Sequence, residues 1–573
     1  MAKDRAVVNV GLPVEAVEAV PAPSRKPPGG RGRRGVVAGV PAAVMLTFGL
    51  WGLDRGGMWR DEAVTFQVAG RTVPQIWRLV HGVDAVHGLY YVLMHAVLAV
   101  HADEVVLRLP SVAGAVVTAA LVAEVGARLA RPRVGLWAGL LYAVNPMAGH
   151  YAQEGRSYAL VAAGVMGATL LLLRGVERGA WWGYGLVLGV TCWLHEFAVL
   201  LLPAHAVALA LARVRGRVWR GWGCAASAVL LCLLPMVVVS RAQAAQVAWL
   251  RRPTEETAAG LARQFFGASQ EVYWVCLGLA VVGLLAGMAG RKGEITLAGV
   301  AAPLVVVPPG VLMLASQSSP PLYVDRYVLY ALAGAPLLVA AGGDRVAAIA
   351  GRLWPGGRWA DVLPSGRRRS RGGASADTRG PRPPAGPGPS ARRPPRAYRA
   401  ALLGLLLIAL VPLLQFPLLR QDRDPARRPD DLAAIARAAA RGMRKGDAVL
   451  YLPGYTRNTE LAYPQAFRGT RDLALARAGD VSGTLYGMEA PAVDVRRRMA
   501  GVRRVWVVAD RSVLAGRWTP RDPGERAGLD LLRREFAVRG EAVRGRTAVR
   551  LYARPLSPAG LRPPSLPPRP VRW

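Results

Sequence analysis

The sequence predicts a mainly α, polytopic membrane helical bundle of about 11 spans, followed by a small extracytoplasmic α/β domain. Three observations predict it. Of 573 residues 52% are hydrophobic and only 19% charged, yet Lys and Arg outnumber Asp and Glu 73 to 37, a net charge of +36. A basic protein wrapped on nucleic acid carries charge along its whole fold. Here apolar runs near membrane-spanning length recur from Val36 to Leu419, which argues against nucleic acid as a partner. Beyond Leu419 the pattern changes to alternating short helices and strands.

Residues 1–34 carry Pro, Gly and Arg without an apolar core or a small-residue cleavage site, so they read as a disordered basic cytoplasmic tail and not as a signal peptide. The apolar runs begin at Val36, Val105, Val134, Ser157, Trp181, Phe197, Trp222, Val272, Ile295, Tyr327 and Ala401. One further stretch, Leu89 to Val100, is short and interrupted by His95. Its placement decides the sidedness of everything after it. If it lies in the interface, the Arg-rich loops at Arg128–Arg133, Arg174–Arg178, Arg213–Arg217, Arg291-Lys292 and Arg345–Arg399 all fall inside with the amino terminus. If it spans, they all fall outside, so the in-plane reading is preferred. The carboxyl terminus is then outside.

Residues 344–399 are rich in Pro and Arg and read as a disordered basic cytoplasmic loop near anionic lipid headgroups. Residues 400–419 form the last span. In 420–573 the expected elements are a helix over Leu432–Met443, strands over Ala448–Leu452 and Val502–Val508, a helix over Glu525–Val538 and a strand over Thr547–Tyr552. Cys192, Cys224, Cys232 and Cys276 lie in apolar runs without metal-ligand spacing and read as small core residues.

The residues with chemistry gather on the outer side. Trp59-Arg-Asp-Glu62 follows the first span, and adjacent carboxylates at a membrane surface suit a general base, a cation site or a self-paired solvated turn. Next come an amphipathic segment over Ala63–Val80 and the stretch His87-Gly-Leu-Tyr-Tyr-Val-Leu-Met-His95. The third crossing ends in Asn145-Pro-Met-Ala-Gly-His-Tyr-Ala-Gln-Glu-Gly-Arg-Ser-Tyr-Ala-Leu160.

That order resembles the GT-C glycosyltransferases, specifically family 39 with its protein O-mannosyltransferases and aminoarabinose transferases. Their pattern runs roughly W-x-D-E, H-P-P-L-Y-Y, then P-x-x-x-x-Y-x-Q-E-x-R-x-Y-x-L. The counterparts here are Trp59, Asp61 and Glu62; His87, Leu89, Tyr90 and Tyr91; Pro146, Tyr151, Gln153, Glu154, Arg156, Tyr158 and Leu160. Gly88 departs from the pattern, standing where the family has proline. Leu194-His-Glu-Phe197, Trp249 and Asp325-Arg-Tyr-Val-Leu-Tyr330 look like further family features, and Asp430 to Leu450 resembles the extracytoplasmic domain of actinobacterial members.

The resemblance implies a GT-C catalytic module over 35–343 in a multi-pass plasma-membrane protein. It implies inverting transfer of a sugar from a polyprenyl-phosphate donor to a lipid, glycan or protein acceptor at the outer face. Asp61 is then the general base and Glu62 supports it or positions the acceptor. Arg326 and Arg156 suit the phosphate, since a guanidinium pairs phosphate oxygens, although either serves equally as an interfacial anchor. His87, Tyr91, Gln153, Glu154 and His195 complete the expected substrate-binding set. The His150/Glu154 spacing fits a divalent metal or plain interfacial hydrogen bonding, and no metal ligand is assigned.

Two rival readings are a secondary transporter and a non-catalytic member of the same fold. A transporter places ionisable residues mid-span, whereas here only Arg108 and Glu124 sit deep in an apolar run. The carboxyl-out order has a direct check. A cysteine introduced as Ser482→Cys is expected to react with a membrane-impermeant thiol reagent in intact cells; labelling only after lysis would reverse the topology.

Overall fold

The structure is a computed structural model and describes residues 31–353 apart from 289 and 319, residues 410–425 apart from 412, residues 430–555, and residues 571–572. The expected basic tail and the basic loop lie outside the described residues, except for 31–34 and 344–353, which are helical.

The membrane half is all helix: α1 (Arg31–Leu50), α2 (Arg60–Ala69), α3 (Val73–Gly82), α4 (Gly88–Leu98), α5 (Glu104–Leu129), α6 (Pro132–Ala143), α7 (Pro146–Ala152), α8 (Tyr158–Arg178), α9 (Trp182–Leu194), α10 (Leu201–Leu211), α11 (Gly216–Ala242), α12 (Glu255–Phe266), α13 (Gln270–Gly287), α14 (Leu297–Ala315) and α15 (Gly334–Leu353). A 3₁₀ segment, Asp325–Ala333, leads into α15. Among the described residues, six helices are long and apolar enough to cross a membrane: α5, α8, α11, α13, α14 and the continuous run 325–350. The expected crossings at Val36, Val134, Trp181 and Phe197 have shorter apolar stretches, and most of the expected last span over 400–419 lies outside the described residues. The third is broken where Asn145 caps α7, its side-chain oxygen accepting from the Met147 and Ala148 amides, with Pro146 at the first helical position.

The expected amphipathic helix over 63–80 is likewise two helices. Gly70-Arg-Thr72 interrupts it, and Thr72 with Gln75 caps α3. The stretch 89–100 is α4, which packs by Tyr90 and Met94 against Met58 and Ala63.

In a bilayer, helices associate through close packing and satisfied polar groups rather than through hydrophobic transfer. A Cβ on Gly135 of α6 would stand 2.2 Å from the Ala123 carbonyl oxygen of α5, so only glycine permits that approach. A polar chain also threads four helices. Trp222 Nε1 donates to the Tyr184 hydroxyl (3.2 Å), Tyr184 meets His205 Nδ1 (3.1 Å), His205 Nε2 meets Thr169 Oγ1 (3.2 Å), and Thr169 donates to the Val165 carbonyl (2.8 Å). A buried histidine in hydrocarbon is tolerated because both ring nitrogens are engaged.

The carboxyl-terminal part is a layered α/β domain: α16 (Leu432–Gly442), β1 (Ala448–Leu452), β2 (Arg471–Asp472), β3 (Leu475–Arg477), β4 (Met488–Glu489), α17 (Ala492–Ala500), β5 (Arg504–Asp510), α18 (Pro523–Glu535), β6 (Ala537–Arg544), β7 (Thr547–Ala553) and β8 (Val571–Arg572). The main sheet has the order β2-β1-β5-β7-β6-β8, with β2, β1 and β5 mutually parallel and β7 antiparallel to β5. β3 and β4 form a separate ribbon. β1 is buried throughout because alternate residues face different layers. Leu450 and Leu452 pack on Val495, Met499 and Leu532, while Val449 and Tyr451 pack on Ile435 and Ala439.

The expected helix running to Val538 ends at Glu535. Ala537–Arg544 instead pairs antiparallel with β7 around a turn at Gly545, whose φ is +57°. The domain docks on the break between α2 and α3 by Arg71, whose guanidinium donates to the carbonyls of Gly479 (3.1 Å), Thr484 (2.9 Å) and Leu485 (3.0 Å).

Candidate active site

The site starts from the first turn of α2. Asp61 and Glu62 both sit where the positive end of the helix dipole favours carboxylates, but the fold sends them to opposite environments. Glu62 is 1% exposed. Arg108 of α5 grips it, Nε to Oε1 and Nη2 to Oε2, both at 2.8 Å. The Gly155 amide also donates to Oε1 (2.9 Å) and the Trp59 amide to Oε2 (3.4 Å). Arg108 spends its remaining donors on the carbonyls of Leu53 (2.9 Å) and Gly57 (3.2 Å). Asp61 is 27% exposed, and its Oδ2 lies 3.6 Å from Arg326 Nη2. Of the pair, Asp61 is therefore the one that can meet an incoming group.

Arg326 lies on the wall of a cavity of about 550 Å³ lined also by Trp59, Glu62, His150, Gln153, Glu154 and, from the helical residues 413–422, Asp422. Its guanidinium is held by the Tyr158 hydroxyl (Nε, 3.2 Å) and stands near the rings of Trp59 and Tyr327 (6.0 and 5.7 Å). Across the cavity, His150 bridges two carboxylates, Nδ1 to Asp422 Oδ1 at 2.7 Å and Nε2 to Glu154 Oε2 at 3.8 Å. Burial pushes the Glu154 carboxyl up to about 7, against the pull of His150 and Arg326.

Gln153 braces this wall, and the remaining expected residues stand behind it. Gln153 donates to the carbonyls of Gly49 (2.9 Å) and Trp51 (2.9 Å), tying the α7–α8 loop to the end of α1. Arg156 donates from Nη1 to the Asp61 carbonyl (3.3 Å) and from Nη2 to His87 Nε2 (2.6 Å). His195 is packed among Tyr158, Tyr327 and Phe197, with centroid distances of 5.6, 4.9 and 5.6 Å. Burial and the charges of Arg156 and Arg326 hold His195 down at about 3 and His87 well below its usual value, so both rings are neutral. The Tyr91 hydroxyl donates to Asp84 Oδ2 (2.8 Å), and Asp84 adopts a left-handed φ of +57°.

The structure brings the residues expected from the sequence together and adds Asp84, Asp422 and the partnership of Arg108 with Glu62, which sequence reasoning missed. Arg108 has a signal: a lone charge deep in an apolar run needs a buried counter-charge. Asp422 sits in Arg420-Gln-Asp-Arg-Asp424 directly after the last apolar run, which marks an interface but names no partner. Among the described residues, no group of three or more His, Cys, Asp or Glu is arranged to hold a metal ion. The ring of His150 faces carboxylates on both sides, so no step is assigned to a metal.

Four buried polar atoms around this core have no hydrogen-bond partner among the described residues: Glu154 Oε1, Arg156 Nε, His87 Nδ1 and His195 Nδ1. Such atoms cost about 1–3 kcal/mol each and are rare enough to point to a binding site.

Residues 88–240 match the family model described as dolichyl-phosphate-mannose-protein mannosyltransferase. The fold is similar to that of ArnT from Cupriavidus metallidurans. The apo form gives a TM-score of 0.53 at 14% identity over 89% of this chain and 97% of that one. The form bound to undecaprenyl phosphate gives 0.54 at 13% identity over 90% and 98%. No curated protein sequence matches the chain. The expected GT-C fold is met, a mainly helical body with a small strand-containing carboxyl-terminal domain, while the expected number of about 11 spans stands beside six helices of sufficient length among the described residues.

The Glu62–Arg108 pair makes a sharp expectation. Arg108→Ala leaves a buried carboxylate without its counter-charge and is expected to destabilise by about 3–5 kcal/mol, read as a lower unfolding temperature in detergent. The double variant Arg108→Ala/Glu62→Gln is expected to recover part of that loss, and a single variant melting like wild type would remove the pair from its structural role.

Proposed function

We propose that this protein is a membrane glycosyltransferase that moves a sugar from a polyprenyl-phosphate donor to an acceptor hydroxyl at the outer face of the plasma membrane, with inversion. One observation carries the reading. A partly exposed carboxylate, Asp61, lies 3.6 Å from Arg326, a guanidinium suited to phosphate that stands on the wall of a cavity of about 550 Å³. The GT-C fold and the undecaprenyl phosphate bound to ArnT support the donor class.

In this reading Arg326 has two partners to choose between. Without donor it pairs with Asp61. When a phosphate enters, the guanidinium takes its oxygens, and the released carboxylate is free to accept a proton. The acceptor oxygen loses its proton to Asp61 and forms the new bond at the anomeric carbon. The bond from that carbon to the phosphate oxygen breaks on the opposite face, and polyprenyl phosphate leaves with its charge held by Arg326. Arg156 backs the site by fixing the Asp61 main chain and holding His87 as a neutral acceptor. Glu62 supports Asp61 from behind through Arg108 and Gly155. Glu154, Gln153, His195, His87 and Tyr91 line or brace the pocket for donor sugar and acceptor.

Two measurements test this. Asp61→Asn is expected to reduce transfer from a polyprenyl-phosphate sugar by at least about 10²-fold in a protein that remains folded and membrane-inserted; near wild-type turnover would defeat the assignment. The second is pH dependence. A phosphate bound beside Glu154 favours its protonated form, which is lost as pH rises through about 7. Donor KM is therefore expected to rise above that pH, by up to about tenfold per unit, and Glu154→Gln is expected to flatten the profile.

A further inference from the structure

We propose that the carboxyl-terminal domain clamps the segment bearing Asp61, and that Arg60 is the positioning residue through which it does so. The proposal rests on Asp61 being the base. In open α/β sheets the crevice beyond the carboxyl ends of parallel strands is where a ligand sits. β1 and β5 are parallel neighbours, and beyond their ends stand Tyr455 and Asp510.

What fills that crevice is Arg60 of the membrane half. Its Nη2 lies 3.5 Å from Asp510 Oδ2 and 3.6 Å from Asp430 Oδ2, and its guanidinium lies 4.9 Å from the centre of the Tyr455 ring. The Tyr455 hydroxyl donates to Asp510 Oδ2 at 2.9 Å, so the aromatic and acidic walls of the crevice are joined. Asp510 and Asp430 are 2% and 3% exposed, which weakens solvent screening of their pull on Arg60.

The domain also holds the main chain around Arg60. Asn458 Nδ2 donates to the Arg60 carbonyl (2.8 Å), the Met58 amide donates to the Tyr463 hydroxyl (2.8 Å), the Leu432 amide donates to the Met58 carbonyl (3.2 Å), and the Gly57 amide donates to Asp431 Oδ1 (3.3 Å). On the other side of Asp61, Glu62 is anchored to Arg108 in the membrane bundle. The residues on either side of Asp61 are thus pulled into two different bodies, which leaves its backbone little freedom and holds its carboxylate 3.6 Å from Arg326. A base has to be held to within about 0.5 Å, and a displacement near 1 Å can cost about 10²-fold in rate.

The test uses the full-length protein. Arg60→Ala is expected to lower kcat by about 10- to 100-fold while leaving donor KM within about twofold, and Arg60→Lys is expected to restore most of the rate. Asp430→Asn/Asp510→Asn, which alters only the domain, is expected to reproduce the drop. Adding Arg60→Ala to it is expected to cost little more, because the groups act as one unit. Hydrogen exchange of a peptide covering 57–62 is expected to quicken in these variants while α5 is unchanged. Unaltered exchange with full kcat would overturn the clamp and leave the transferase reading standing. If wild type transfers no sugar and the exchange of 57–62 still responds, the reading of Asp61 falls and the mechanical clamp remains.

Discussion

The candidate site of this protein is organised around one buried ion pair, Glu62 with Arg108. Two charges removed from water are tolerated together only when each lone pair and proton finds a partner, and that requirement gathers five stretches of chain. The carboxylate collects the Trp59 and Gly155 amides, and the guanidinium collects the carbonyls of Leu53 and Gly57. The turn at Leu53, the loop over Gly57–Trp59, the start of α2, α5 and the α7–α8 loop are thereby fixed to one point. Asp61 inherits its position as the neighbour of that point. A residue with chemistry to perform has to stay partly solvated and imperfectly paired, so a fully satisfied partner next to it supplies the rigidity that it cannot supply itself.

The same division explains what was legible in the sequence. Helices of the bundle were readable because a bilayer demands long apolar runs. The breaks were not. Asn145-Pro146 inside the third crossing and Gly70-Arg-Thr72 inside the amphipathic segment are local capping events that leave hydropathy almost unchanged. In the carboxyl-terminal domain β1 was read to the residue because all five of its side chains are buried. β6 was missed, its first two residues taken as the end of the preceding helix, because it is a half-exposed strand with weak alternation. Of the site, the motif residues were visible as a pattern. Their grouping was not, since Asp422 and Asp84 meet the others only through tertiary contacts across long stretches of chain.

The structure also separates roles that the motif leaves fused. The residues expected to bind substrate divide into a wall that faces the cavity, with Glu154, Gln153 and Arg326, and a second tier, with Arg156, His87, His195 and Tyr91, that sets the first tier's charge and geometry. Neutral His87 and His195 sit beside two guanidinium groups, so in that tier the positive charge belongs to Arg156, while on the wall it comes from Arg326 and from His150, which Asp422 and Glu154 hold above its usual value against the effect of burial.

The cavity is closed by a residue that reaches the ribosome's exit late. His150 and Asp422 are separated by 272 positions, so at about 5–20 residues per second their contact waits roughly 15 to 55 seconds after His150 has been made. Glu62 and Arg108, only 46 positions apart, can meet within seconds. The nascent chain therefore acquires its rigid anchor first, and the last wall of the pocket is added only when the final membrane segment emerges. A truncated or stalled product would hold an assembled anchor beside an open, unfinished pocket.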